Sequence, residues 1–107
     1  MKNNLFEHIP EELPEELFET LQESGGVKIE RIVSRGHTTA IGEWYDQSWD
    51  EWVILLSGSA VLEFDGERAS VTLHAGDYLM LPSGCRHRVA WTEPDVDSIW
   101  LAVHISL

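Results

Sequence analysis

The stretch GDYLMLPSGCRH, residues 76–87, decides the fold. Gly76 ends one segment, and Tyr78–Leu81 reads as a short apolar strand. Pro82, Ser83 and Gly84 then form a turn, because proline presets φ and glycine accepts the left-handed region. A new strand over 86–91 follows, and period-2 alternation sends His87, Val89 and Trp91 to one face. Strand, tight turn, strand is an all-β grammar.

The same grammar extends in both directions. Candidate strands cover 27–33, 38–45, 51–56, 60–64, 69–73 and 99–105, separated by Gly36, Ser57-Gly58, Asp65-Gly66, Ala75-Gly76 and the polar run 92–98. Asp65-Gly66 between two alternating runs is a tight-hairpin signal. About eight short strands at this spacing imply a sandwich or barrel rather than βαβ units. In the last strand Ile99, Leu101, Val103 and Ile105 share one face, and Trp100, Ala102 and His104 share the other. Both faces are largely apolar, so the outer one needs a cover, either the N-terminal segment or a second subunit.

Residues 1–26 differ from the rest. Seven acids and no Lys or Arg lie between Glu7 and Glu23, while Leu13, Leu17 and Leu21 recur every four residues beside Phe18. That spacing predicts a short amphipathic helix over 14–23, opened by Pro14 and stopped by Gly25-Gly26. The expected organisation is an acidic N-terminal segment, 1–26, followed by one β domain, 27–107.

The 107 residues carry a net charge of −12, from 19 acids and 7 bases. Binding nucleic acid requires cationic side chains against phosphate, so neither nucleic acid nor an anionic membrane is an expected partner. The single Cys85 cannot close an internal disulfide. No apolar run approaches the ~20 residues needed to span a bilayer, and no secretory leader is visible. A cytoplasmic location is expected. Five tryptophans (44, 49, 52, 91 and 100) suit a lined cavity or a homodimer interface.

The spacing within 76–87 resembles the second signature of the cupin superfamily: glycine, five residues, Pro-x-Gly, two residues, histidine. Gly76, Pro82, Gly84 and His87 match it without a gap, although Trp91 stands where the family pattern has asparagine. The first signature is partly present. Glu51 and Gly58 fit its end, whereas the two histidine positions fall on Tyr45 and Gln47, or on Trp44 and Asp46 with the longer spacing. The resemblance covers about residues 27–107 and implies a single-domain antiparallel β-barrel (jelly roll), here with the short N-terminal helix.

By that resemblance His87 and Glu51 would ligate a divalent metal, joined by an oxygen from Gln47 or, as its rival, Asp46. One imidazole with oxygen donors favours Mn, Fe(II), Mg or Ca, and zinc also tolerates such a set. The alternative is a metal-free barrel in which Glu51, Gln47 and His87 form a hydrogen-bonded cluster. Tyr45, Trp91 and Cys85 are the expected substrate-lining residues. His37 is a further ligand candidate. His104 reads as an outer or interface residue, and His8 and His74 as exposed; Arg86 and Arg88 face away from His87 and pair with surface acids.

Three functions follow. The first reading is a metal-dependent enzyme of oxygenase, isomerase or lyase type acting on a small organic molecule. Otherwise the chain is a non-catalytic metal- or ligand-binding sensor, or a metal-free barrel used for dimerisation.

Overall fold

A computed structural model describes residues 1–66 and 68–106. They form eight strands: β1 (Leu17–Ser24), β2 (Val27–Ser34), β3 (Asp50–Ser57), β4 (Ser59–Phe64), β5 (Val71–His74), β6 (Tyr78–Leu81), β7 (His87–Thr92) and β8 (Ser98–Ile105). All pairings are antiparallel. A five-stranded sheet in the order β1-β2-β8-β3-β6 packs against a three-stranded sheet in the order β5-β4-β7. The expected all-β architecture is present as two facing sheets rather than one closed barrel. Leu55, Leu62, Phe64, Leu81 and Trp100 lie between them, each no more than 6% exposed.

No helix forms over 14–23, where β1 occupies most of the span. Its partner explains the difference. Ser24 faces Val27, so Gly25-Gly26 is a two-residue hairpin turn, with φ of 56° and 85° at its two glycines. Positive φ at both positions is the geometry that suits the twist of a hairpin. A bulge between Thr20 and Gln22 takes Leu21 out of register. That extra residue hides the period-2 pattern and leaves the leucines at a helix-like spacing.

The acidic leader is strapped to the outer edge of the larger sheet by two arginines. Arg31 donates to the carbonyls of Leu5 and Glu7, at 3.0 and 2.7 Å, and pairs with Glu19 directly across from it on β1. Arg35 donates to the carbonyls of Glu11 and Pro10 at 2.9 and 3.1 Å, and to Asp97 at 2.7 Å. The leader's backbone, not an apolar helical face, is what docks.

The expected strand over 38–45 is not a regular strand. It is an extended segment tied to β7 at separate points: Thr39 N–H to Val89 O at 2.9 Å, and a bridge between Tyr45 and His87. Further on, Gly84 N–H donates to Gln47 O at 2.7 Å. Alternation along this segment aims Tyr45, Gln47 and Trp49 in one direction. Between β3 and β4 the chain turns at Gly58, φ 80°, where a Cβ would sit 2.7 Å from the Cα of Ser98.

Candidate functional site

Antiparallel register builds the site. A cross-strand row places Lys28, His104, Glu51 and Leu81 side by side on β2, β8, β3 and β6. The next rows on that face add Glu30 and Val53, then Phe18, Ile32 and Trp100. Opposite them stand Leu62, His87 and Val89 of the smaller sheet, and the 45–49 segment closes one side. Together these residues line a cavity of about 200 Å³, into which Glu16 also reaches from just before β1.

His87 is 5% exposed. Its Nδ1 lies 2.9 Å from the carbonyl oxygen of Cys85. A carbonyl only accepts, so Nδ1 carries the proton and Nε2 keeps a free lone pair. The ring stacks on Tyr45 with centroids 5.4 Å apart. Glu51 is 7% exposed and has no hydrogen-bond partner among the described residues. Its carboxylate faces the cavity and is open to whatever occupies it.

His104 is arranged differently. The indole Nε1–H of Trp49 donates to its Nδ1 at 2.8 Å, so the proton sits on Nε2, which donates to Glu30 at 3.1 Å. Both ring nitrogens are consumed. This hydrogen bond from His104 holds the Glu30 carboxyl below its ordinary range, against the opposing effect of burial and with help from Lys28. Burial pushes the Glu16 carboxyl up, and a hydrogen bond from Ser34 pulls it partly back. Burial also raises the Tyr45 phenol, and Glu16, Glu51 and Glu30 around it add to the effect.

Four of the seven residues expected from sequence line the cavity: His87, Glu51, Gln47 and Tyr45. Asp46 does not; it is exposed and lies 3.9 Å from Arg86. This settles the strand alternation in favour of Gln47 facing inward. Trp91 is 41% exposed and lies outside the cavity. A bulge at Ala90 is the cause, because Val89 faces Leu62 while Trp91 already faces Val61. Cys85 also stays outside the lining; it packs on the core and accepts a contact from Arg68 at 3.3 Å.

His37 accepts from the Arg35 N–H and does not line the cavity. His104, read from sequence as outward, is 8% exposed and faces in. His8 and His74 are exposed, and Arg86 and Arg88 pair with Asp65 and Glu63. Sequence reasoning missed Glu16, Lys28 and Glu30, and gave Trp49 only as one of five tryptophans suited to a cavity or an interface. Lys28 and Glu30 could have been found, since they alternate on one face of β2, where two charges need a polar destination.

A metal can be tested against these groups. No cluster of three or more His, Cys, Asp or Glu side chains suited to a metal occurs among the described residues. What remains is the imidazole of His87, the carboxylate of Glu51 and the amide oxygen of Gln47. His87 has the orientation typical of a ligand, with its other ring N–H given to a carbonyl. By donor type, three such groups would leave open coordination positions on a cation rather than close a structural site.

Sequence and structure comparisons agree with this architecture. A cupin domain family model matches residues 34–104, and the chain belongs to that family. A crystal structure of a candidate mannose-6-phosphate isomerase from Ralstonia eutropha JMP134 is 46% identical, covers 100% of this chain and 99% of its own, and superposes with a TM-score of 0.93. A cupin superfamily protein from Desulfitobacterium hafniense DCB-2 is 21% identical over 92% of this chain and 84% of its own, with a TM-score of 0.75. The TT1209 protein from Thermus thermophilus is 16% identical over 98% and 96%, with a TM-score of 0.78. No curated protein is significantly similar to the chain. Among the described residues no helix is long and apolar enough to cross a membrane.

Proposed function

We propose that this chain is a small-molecule cupin that works with a divalent cation held by His87, Glu51 and Gln47. The observation that carries the reading is Glu51, a buried carboxylate without a protein partner among the described residues, in the cavity that receives the free Nε2 of His87. A cation there would polarise a ligand oxygen and stabilise negative charge developing on it. The chain's own part is to hold the ligand against that centre, with Tyr45 stacked on His87 and the walls of Val53, Leu62 and Trp100 excluding water.

The name of the Ralstonia relative favours an isomerase among the enzyme classes, since the two chains align end to end at 46% identity. Carboxyl groups at Glu16 and Glu30 provide nearby acid–base capacity for such chemistry. Elemental analysis of protein purified without added metal tests the proposal. About one divalent ion per chain is expected, lost in His87→Ala and strongly reduced in Glu51→Gln. Full occupancy in His87→Ala would overturn it.

The same reading includes a homodimer. On the outer face of the larger sheet, Ile29, Val103, Trp52 and Met80 form one row, and Leu101, Ile54 and Tyr78 form another. Met80 is 48% and Tyr78 65% exposed, so this apolar surface is only partly covered. Val103→Arg is expected to convert a dimer to a monomer in light scattering; an unchanged mass would remove this face from the interface.

A further inference from the structure

The family match begins at residue 34, so nearly all of the β1–β2 hairpin and the residue that precedes it lie outside it. Yet this part supplies Glu16, Phe18, Lys28, Glu30 and Ile32 to the cavity. What it adds in charge is mostly acidic. The single lysine is already engaged, 3.7 Å from Glu30 and one-third exposed. Glu30 is satisfied on both oxygens, by His104 and Lys28. Glu16 is not.

The direction of the hydrogen bonds around Glu16 is fixed by chemistry. The Trp100 indole can only donate, and it donates to Ser34 Oγ at 3.3 Å. Ser34 in turn gives its own proton to Glu16 Oε2. Glu16 is thereby oriented as an acceptor, and its Oε1 has no protein partner among the described residues. Glu51, the other carboxylate of the cavity without a hydrogen-bond partner among the described residues, is given to the cation of the proposed metal centre and leaves Glu16 as the acceptor for the far end of a ligand. Phe18 and Tyr45 add aromatic surface at the opening, 49% and 37% exposed, of the kind that attracts cations.

We propose that the cavity selects a small ligand carrying a protonated amine, and that Glu16 is the carboxylate that binds the amine. This rests on the cavity being the ligand site, as above, and adds the chemistry of the ligand. The metal centre takes one end of the molecule. Glu16 takes the other, beside β1, which lies three strand spacings from β3 across the sheet, or about 14 Å at ~4.8 Å per strand. Burial raises the Glu16 carboxyl, and an ammonium group beside its oxygens would favour the charged form again. Near Glu16 the one lysine among the described lining residues is already paired with Glu30, so this end of the cavity favours an ammonium over a phosphate.

The test follows the Trp100 indole N–H in 1H–15N spectra of the full chain during titration with n-butylammonium, n-butanol, butyrate and mannose 6-phosphate. A saturable shift is expected with n-butylammonium, at least about tenfold tighter than with the other three and about tenfold weaker in Glu16→Gln. No saturable shift with n-butylammonium, equal or tighter binding of butyrate or mannose 6-phosphate, or unchanged n-butylammonium binding in Glu16→Gln would overturn the proposal. Mn2+ uptake is measured on the same samples. Glu16→Gln is expected to take up Mn2+ as the wild type does, so loss of the amine response and loss of the metal are read separately.

Discussion

The Nδ1–H of His87 is committed to the carbonyl oxygen of Cys85 at 2.9 Å, while the Nδ1 of His104 is committed to the Trp49 indole at 2.8 Å. Two imidazoles in one cavity are thus given opposite tautomers. His87 offers a lone pair to whatever enters, and His104 offers nothing. This difference divides the cavity into a reactive side and a structural one.

The structural side predicts a stability effect. His104→Ala leaves Glu30 with only the distant Lys28 ammonium and leaves the Trp49 N–H unpaired. Loss of a partner to a buried charged group costs about 2–4 kcal/mol. Urea denaturation measures it, and a change below about 0.5 kcal/mol would show that His104 does not anchor Glu30.

Acid sensitivity has a sign for each carboxyl. The folded pKa of Glu30 is lowered, chiefly by His104, so its contribution is complete above the usual value of 4.5 and is lost as pH falls through the folded value. Glu16 is raised by burial, so its cost appears as pH rises from 4.5 through the folded value and is full at neutrality. Thermal melts at pH 7 should therefore show Glu30→Gln less stable and Glu16→Gln more stable than wild type. The Glu16 difference should shrink as pH falls below 4.5, and the Glu30 difference only at lower pH, as it passes through the lowered folded value. A Glu16→Gln variant that melts lower at pH 7 would contradict this assignment.

Gly58 joins the two sheets at a point where no side chain fits. An added Cβ would meet the Ser98 backbone at 2.7 Å, with φ at 80°. Gly58→Ala is expected to destabilise by about 2 kcal/mol or more. Gly66→Ala, also at positive φ but with nothing within 4 Å, should cost less. Equal losses in the two variants would mean that strain in φ, not contact with Ser98, sets the requirement.

The leader is held by carbonyl contacts to Arg31 and Arg35, so its release should depend on those guanidinium groups. Hydrogen exchange at residues 5–11 is expected to accelerate in Arg31→Ala while β3, β4 and β8 stay protected. Uniform acceleration across the sheets would show that Arg31 supports the whole fold instead.

Much of this is legible in the sequence. The strand from Tyr78 to Leu81 agrees to the residue, and β7 follows from the turn at Pro82–Gly84, because glycine, proline and strict alternation leave little freedom there. His87 comes from the match to the second cupin signature and Glu51 from the end of the first. Most of the differences have one physical source. An extra residue at Leu21 and another at Ala90 each break period 2, and each bulge reverses the sides that sequence alternation assigns. That is why β1 reads as a helix and Trp91 as a cavity residue. His104 reads as outward for a different reason: both faces of β8 are apolar, so hydrophobicity alone cannot choose the inner one.

The central claim is that one imidazole nitrogen, Nε2 of His87, shares a cation with Glu51. Long-range 1H–15N spectra of the histidine rings during a Zn2+ titration test it most directly. The account predicts that the Nε2 signal of His87 moves with saturation near one equivalent, that both nitrogens of His104 stay in place, and that Glu51→Gln weakens the response. A titration in which His104 or the exposed His8 and His74 respond while His87 remains still would contradict it.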